Sequence, residues 1–244
     1  MKIVLYNMAY GTGLNGSWRQ YILKCRRFFW LPFFNTRKIA RLLNDQRADV
    51  ICLLEVDGGS IRNRFMCQAK KIAKKLGFDF WFKKSKYHPK SLFRFMPFTR
   101  KNCDAIVSKI KGEFKCHYLN NGMKKLVQEY VVNNFSIFTV HLAVLQKNLR
   151  QIQLTELGEI VKKCPRPFLI CGDFNIFKGL EEVRSFVEKN GLKLIQTAKT
   201  FPSCNPKKYF DLFIAREDVN IKDAGVLDVP YSDHLPVWVT IENA

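Results

Sequence analysis

Polar residues stand at the ends of apolar runs in several places along this 244-residue chain. Asn7 follows Ile3-Val4-Leu5, Glu55 follows Ile51 to Leu54, and His141 follows Ile137 to Val140. Phe168-Leu169-Ile170-Cys171 runs into Gly172, and Asp173 and Asn175 then bracket Phe174. Asp211 precedes Leu212-Phe213-Ile214, and Ser232-Asp233-His234 precedes Leu235-Pro236-Val237. Taken singly, each reads as a solvated strand end, an Asx turn or a histidine satisfied by backbone. Taken together, they supply what metal-assisted phosphoester hydrolysis requires. One carboxylate can hold a hard divalent cation, with waters completing its shell. A second can orient or deprotonate water, while a histidine steadied by its own carboxylate meets the charge on phosphorus.

Such residues need elements that deliver them to one place. Continuous apolar runs bounded by turn residues read as strands buried on both faces. Strands are expected at 2–8, 50–54, 78–82, 104–108, 113–118, 126–132, 135–141, 168–172, 192–196, 209–215 and 235–241. Helical spacing of apolar residues predicts helices over 18–34, 36–46, 60–76, 145–163 and 180–189. In the helix over 18–34, Trp18, Tyr21, Ile22, Cys25 and Phe29 fall at helical spacing, and in that over 60–76 Ile61 and Phe65 lie on the marked apolar face. Helices and strands mix throughout, with hairpin-like strands in the middle and neither repeats nor low-complexity linkers. The reading is therefore one α/β domain over residues 1–244 with mixed sheets.

The order Asn7, Glu55, His141, Gly172-Asp173-Phe174-Asn175, Phe210-Asp211 and Ser232-Asp233-His234-Leu235-Pro236 resembles the endonuclease/exonuclease/phosphatase superfamily. The similarity runs from Asn7 to Val237, and Thr200-Phe201-Pro202-Ser203 ahead of Asp211 adds to it. It implies a four-layer α/β/β/α sandwich with two mixed sheets and the active site at one end of both. By position it implies that Glu55 is the main Mg²⁺ ligand (Mn²⁺ being an alternative), with Asn7 assisting and Asp233 beside the metal. It also implies that Asp173 activates water, that Asn175 orients the phosphate, and that His234 faces the phosphate with its ring fixed by Asp211. His141 would be a second phosphate-facing group. One departure is Asp104 in Cys103-Asp104-Ala105-Ile106, where the family often has asparagine. Asp104 is open to two readings: it orients His141, or it alters substrate or metal preference.

Substrate is written in charge and aromatics. Lys+Arg 41 against Asp+Glu 21 gives a net charge of +20, and residues 1–110 hold 23 basic and 6 acidic side chains. Such a field attracts polyanions. Segments 18–38 and 83–101 each combine at least six Lys or Arg with aromatics and no acid. That mixture suits nucleic acid, with cations on phosphates and rings stacking bases, and it also suits an anionic membrane surface. Arg26, Arg27, Trp30, Lys86 and Arg94 are the substrate-binding candidates from these segments. The leading expectation is a Mg²⁺-dependent phosphodiesterase acting on DNA or RNA. A phospholipid or phosphoinositide hydrolase is the alternative, and an inactive polyanion-binding module is a third reading. The full set of polar residues speaks against the last.

Eight cysteines without a C-x-x-C pair, several of them in apolar runs, read as free thiols rather than a disulfide framework. The N-terminus turns polar too soon for a signal peptide, and no uncharged run reaches membrane-span length. A cytoplasmic monomer without a transmembrane segment is expected.

Overall fold

The structure is a computed structural model describing residues 1–96, 99–195 and 198–242. Its strands are β1 (Lys2–Asn7), β2 (Val50–Asp57), β3 (Phe80–Ser85), β4 (Asn102–Ser108), β5 (Glu113–Tyr118) and β6 (Leu126–Val132). β7 (Phe135–His141), β8 (Phe168–Asp173), β9 (Leu192–Ile195), β10 (Asp211–Arg216), β11 (Ile221–Val226) and β12 (Val237–Ile241) follow. The helices are α1 (Trp18–Leu23), α2 (Phe33–Asp45), α3 (Gln68–Leu76), α4 (Lys147–Val161) and α5 (Glu181–Lys189). Two six-stranded sheets form, ordered β11-β12-β1-β2-β4-β3 and β5-β6-β7-β8-β10-β9. Only β1/β2 and β7/β8 pair in parallel among the described ladders, so both sheets are mixed.

Alternation along the apolar strands builds the layers. Ile3 and Leu5 of β1 meet Leu169 and Cys171 of β8 in a core between the sheets. Val4 and Tyr6 point the other way, onto Ile39 and Leu43 of α2 and Ile72 of α3. Phe168 and Ile170 of β8 face Leu154 and Leu157 of α4 and Val183 and Phe186 of α5. Both strand faces are covered, which is why these runs are apolar without a break. The result is the expected α/β/β/α sandwich.

Several local expectations change. The segment 18–34 is not one helix: α1 ends at Leu23, a 3-10 turn spans Cys25–Phe28, and Pro32 caps the start of α2. None of the residues in α1 is buried, so its apolar spacing marks an uncovered face rather than a core contact. The helix expected over 60–76 contracts to α3, preceded by a 3-10 turn at Ile61–Asn63, and Ile61 and Phe65 stand exposed. β11, carrying Lys222, Asp223 and Gly225, lacks an apolar run and escaped notice. β2 continues to Asp57 instead of ending before Glu55, because its pairing with β4 shifts between Leu53 and Val56. Position 196 of the expected strand over 192–196, and positions 97–98 of the basic loop, lie outside the described residues. All eight cysteines are free.

Candidate active site

Strand direction gathers the polar residues at one end of the sandwich. β7 and β8 run in parallel with His141 opposite Asp173, and antiparallel β10 sets Asp211 opposite Asp173. β12 runs antiparallel to β1 with Val237 opposite Leu5, so the preceding Asp233 and His234 emerge beside Asn7. Ser232 Oγ fastens this join by donating to the Asn7 carbonyl at 2.7 Å. Glu55 comes from the irregularity in β2, with φ of 51°, a left-handed conformation that turns it out of strand alternation. Asn175 has the same φ of 51° and closes an Asx turn, its N–H donating to Asp173 Oδ1 at 3.0 Å. Gly172 is required for closeness, since a Cβ there would lie 2.1 Å from the Val140 carbonyl oxygen.

At the centre His234 pairs through Nδ1 with Asp211 Oδ2 at 2.7 Å, and Thr200 Oγ1 donates to that same oxygen at 2.6 Å. The other ring nitrogen lies 3.7 Å from Asp173 Oδ2. That oxygen also accepts from Asn7 Nδ2 at 3.1 Å and lies 3.3 Å from His141 Nε2. Asn175 Nδ2 donates to the Leu142 carbonyl at 3.0 Å. All of these side chains are buried. Burial alone would lower the His234 pKa, yet Asp211 and Asp173 outweigh it and raise it to about 10, so the ring is an imidazolium. Burial, with Asp211 adding to it, lifts Asp173 to about 7 against the opposing pull of His234.

Two lysines complete the site. Lys86 Nζ lies 3.1 Å from Glu55 Oε1 and bonds the Tyr10 hydroxyl, while Lys124 Nζ lies 3.7 Å from that carboxylate oxygen and bonds His141 Nε2. Burial would raise the Glu55 pKa, but Lys86 and Lys124 hold it well below the usual carboxylate range. Burial and Lys86 together bring Lys124 down to about 8. Asp104 accepts the Glu55 backbone N–H at 3.0 Å, and burial pushes its carboxyl up to about 6. It therefore braces the bulge that carries Glu55. His141 bonds Lys124 and stands beside Asp173, not Asp104.

The charge on Asp233 faces hydroxyls. Tyr21 donates to Oδ2 at 2.6 Å and Ser232 Oγ lies 3.2 Å from Oδ1, while burial raises its pKa and Glu55 adds to the rise. Two neighbouring carboxylates with the Asn7 carboxamide offer oxygen donors suited to a hard divalent cation. Glu55 spends Oε1 on its lysines, so a cation there shares that carboxylate with them. Asp173, Asp211 and His234 also bring ligand atoms within 4.8 Å of one another. A doubly protonated imidazole has no lone pair for a metal, which makes that trio a ligand set only when His234 is neutral.

The sequence-derived candidates thus divide. Asn7, Glu55, His141, Asp173, Asn175, Asp211, Asp233 and His234 converge. Lys86, expected on a substrate-facing loop, is instead buried against Glu55. Arg26 and Trp30 stay on the exposed 18–34 segment, and Arg27 from that segment donates to the carbonyls of Thr12 and Gly13 at 3.2 Å. Arg94 sits on a separate 3-10 turn, Leu92–Arg94. Lys124, Tyr10 and Tyr21 were missed. Lys124 sits in Lys124-Lys125, which reads as a solvated pair, and only Tyr21 carried a signal, as an aromatic in a helical stripe.

Comparison with known proteins agrees with this architecture. The endonuclease/exonuclease/phosphatase family profile matches residues 33–234. A family protein of Bacteroides thetaiotaomicron superposes with a TM-score of 0.72 at 15% identity, covering 99% of this chain and 97% of its own. Mannosyl-6-phosphatase Bt3783 from Bacteroides thetaiotaomicron VPI-5482 gives 0.70 at 15% identity, covering 99% of both chains. TDP2 of D. rerio, complexed with a single-strand DNA product, gives 0.69 at 16% identity, covering 100% of this chain and 99% of its own. No curated protein matches in sequence. At these identities the superpositions speak for the fold alone, and the profile, spanning most of the chain and the site residues from Glu55 to His234, places it in the Endonuclease/Exonuclease/phosphatase family of phosphoester hydrolases.

Proposed function

We propose that this protein is a metal-dependent phosphodiesterase in which Asp173 and His234 manage the attacking water and the phosphate charge. The observation carrying this reading is the line Asp211–His234–Asp173, held at 2.7 and 3.7 Å beside the Glu55–Asp233 carboxylates. A carboxyl near pH 7 is poised to accept the proton of water at neutral pH. The imidazolium of His234, locked by Asp211, keeps its other N–H, 3.7 Å from Asp173 Oδ2, to donate to a bound phosphoester. Asn7 steadies Asp173, and Asn175 fixes the turn on which both it and Asp173 sit. Lys124 adds a second cationic edge, its ammonium bonding the Nε2 of His141, whose ring burial and Lys124 keep neutral. Glu55 and Asp233, with Asn7, would hold Mg²⁺ (or Mn²⁺), which when bound supplies polarisation of the phosphoester oxygens.

Nucleic acid is the first substrate reading, supported by the +20 charge and by the DNA product held by the TDP2 fold relative. A phospholipid phosphoester is the second reading. It is favoured by the exposed aliphatic side chains described below.

Purified protein incubated with DNA, RNA, phosphoinositide and sphingomyelin, with and without Mg²⁺, tests the assignment. Release from at least one substrate, abolished by EDTA and by Asp173→Ala, is expected. Turnover that ignores EDTA, or survives Asp173→Ala near the wild-type rate, overturns it.

A further inference from the structure

We propose that the face built from residues 18–34 and 61–65, with the adjoining groove between α2 and α3, docks on a membrane rich in anionic phospholipid. This holds whichever phosphoester the site cleaves.

The side chains on this face are large, apolar and in water: Trp18 is 68% exposed, Ile22 64%, Leu23 79%, Trp30 57%, Ile61 59% and Phe65 73%. An apolar patch of this kind marks an interaction surface. Its composition identifies the partner. Bases stack on flat rings, so single-stranded nucleic acid would use the tryptophans and phenylalanines. It has no comparable use for Ile22, Leu23 and Ile61, which an acyl layer accepts as readily as rings.

The surrounding charge is one-signed. Residues 8–44 contain seven Lys or Arg and residues 58–78 six, and neither stretch has an acid. Among the described residues only Arg62 of these thirteen pairs with an acid, the buried Asp57. The groove between α2 and α3 is lined by Arg37, Arg41, Lys71, Lys74 and Lys75. It joins the apolar face at Phe33, whose ring lies 5.1, 5.5 and 5.8 Å from Arg37, Arg64 and Lys71 respectively. Partial burial and Arg37 lower the Lys71 pKa, as expected where cations crowd without a counter-charge. Apolar side chains for insertion and unneutralised cations for lipid headgroups are the two signals that stable peripheral binding needs together.

The face is coupled to the active site. The Leu31 N–H donates to the Arg62 carbonyl at 3.0 Å, joining the two segments, and the Tyr21 hydroxyl binds Asp233. Docking would therefore set the site mouth against the lipid surface.

Flotation with phosphatidylcholine vesicles, with or without phosphatidylserine, tests this directly. EDTA is included so that hydrolysis plays no part. Binding is expected only with phosphatidylserine present, weakened by high salt, and accompanied by a blue shift of tryptophan emission. Leu23→Ser with Phe65→Ser should weaken binding at least about tenfold. The same variant should leave the unfolding midpoint and the Mg²⁺-dependent turnover of soluble bis(p-nitrophenyl) phosphate unchanged, because neither side chain belongs to the site. Equal binding to neutral vesicles, or a variant that floats like wild type, overturns the proposal. So does absent flotation together with oligonucleotide binding that the same substitutions abolish, which would assign the face to nucleic acid. Absence of turnover of the soluble substrate by the wild-type protein would instead strike the hydrolase reading and leave the flotation result standing.

Discussion

His234 Nδ1 sits 2.7 Å from Asp211 Oδ2, a buried pairing made across 23 residues of sequence. That carboxylate fixes the ring's orientation and favours its charged form. Asp211→Asn should lower kcat by about 10²–10⁴-fold, with a much smaller change in KM. Steady-state kinetics on the best substrate of the panel would check this; an unchanged kcat would remove His234 from the chemistry.

The same pairing makes stability depend on pH in the metal-free protein. The His234 pKa is raised to about 10 when folded, above about 6.5 in the unfolded chain. The folded state therefore binds the extra proton, and the contribution is complete below the unfolded value. It is lost as pH rises from about 6.5 to about 10. Urea unfolding in EDTA should show stability falling across this window. His234→Gln should flatten that slope.

Gly172 tolerates no side chain, because a Cβ would lie 2.1 Å from the Val140 carbonyl oxygen and 2.7 Å from its Cγ2. Both atoms belong to a buried neighbouring strand and have little room to move. Gly172→Ala should cost about 2–3 kcal/mol in the denaturant midpoint, and activity should fall as Asp173 shifts.

Lys86 and Glu55 form a buried ion pair at 3.1 Å, and side-chain exposure is 3% for the lysine. Removing one partner strands the other, so Lys86→Met should destabilise the protein by about 3 kcal/mol. Lys124, 3.7 Å from the same oxygen, should limit the loss. Because a divalent cation would offset the stranded carboxylate, Mg²⁺ should raise the melting temperature more in Lys86→Met than in wild type. Differential scanning fluorimetry with and without Mg²⁺ reads this out. Equal shifts in both proteins would separate Glu55 from metal binding.

Glu55→Gln and Asp233→Asn each remove one oxygen-rich ligand from the pair. Each should weaken the Mg²⁺ dependence of turnover, raising the half-maximal Mg²⁺ concentration about tenfold or more. Metal titration of activity measures it, and an unchanged midpoint in both would place the metal elsewhere.

Much of the fold was legible because a strand covered on both sides must be apolar throughout. Ile3 to Leu5, Ile51 to Leu54 and Leu169 to Cys171 announced themselves that way, as did the polar residues that ended them. β11 was not legible, since an edge strand with Lys222 and Asp223 needs no such run. Residues 18–34 misled for a related reason. Helical spacing of Trp18, Tyr21, Ile22 and Cys25 shows that apolar groups share a face, and says nothing about whether anything covers it.

Sequence alone marked the polar residues that flank apolar runs, Asn7, His141, Asp173 and Asp211 among them, and their order carried the family resemblance that implied one site. Partnership was decided by tertiary structure. Asp173 meets Asn7 across 166 residues because β1 and β8 lie in facing sheets, and it meets Asp211 because antiparallel register sets them opposite. Glu55 reaches its lysines only because β2 bulges there, and Lys124 joins the candidate site only because its chain segment folds over His141. Periodicity encodes which face of an element is buried. Which charges then share a low-dielectric space, and so which protons each group keeps, is a property of distances that the linear order does not contain.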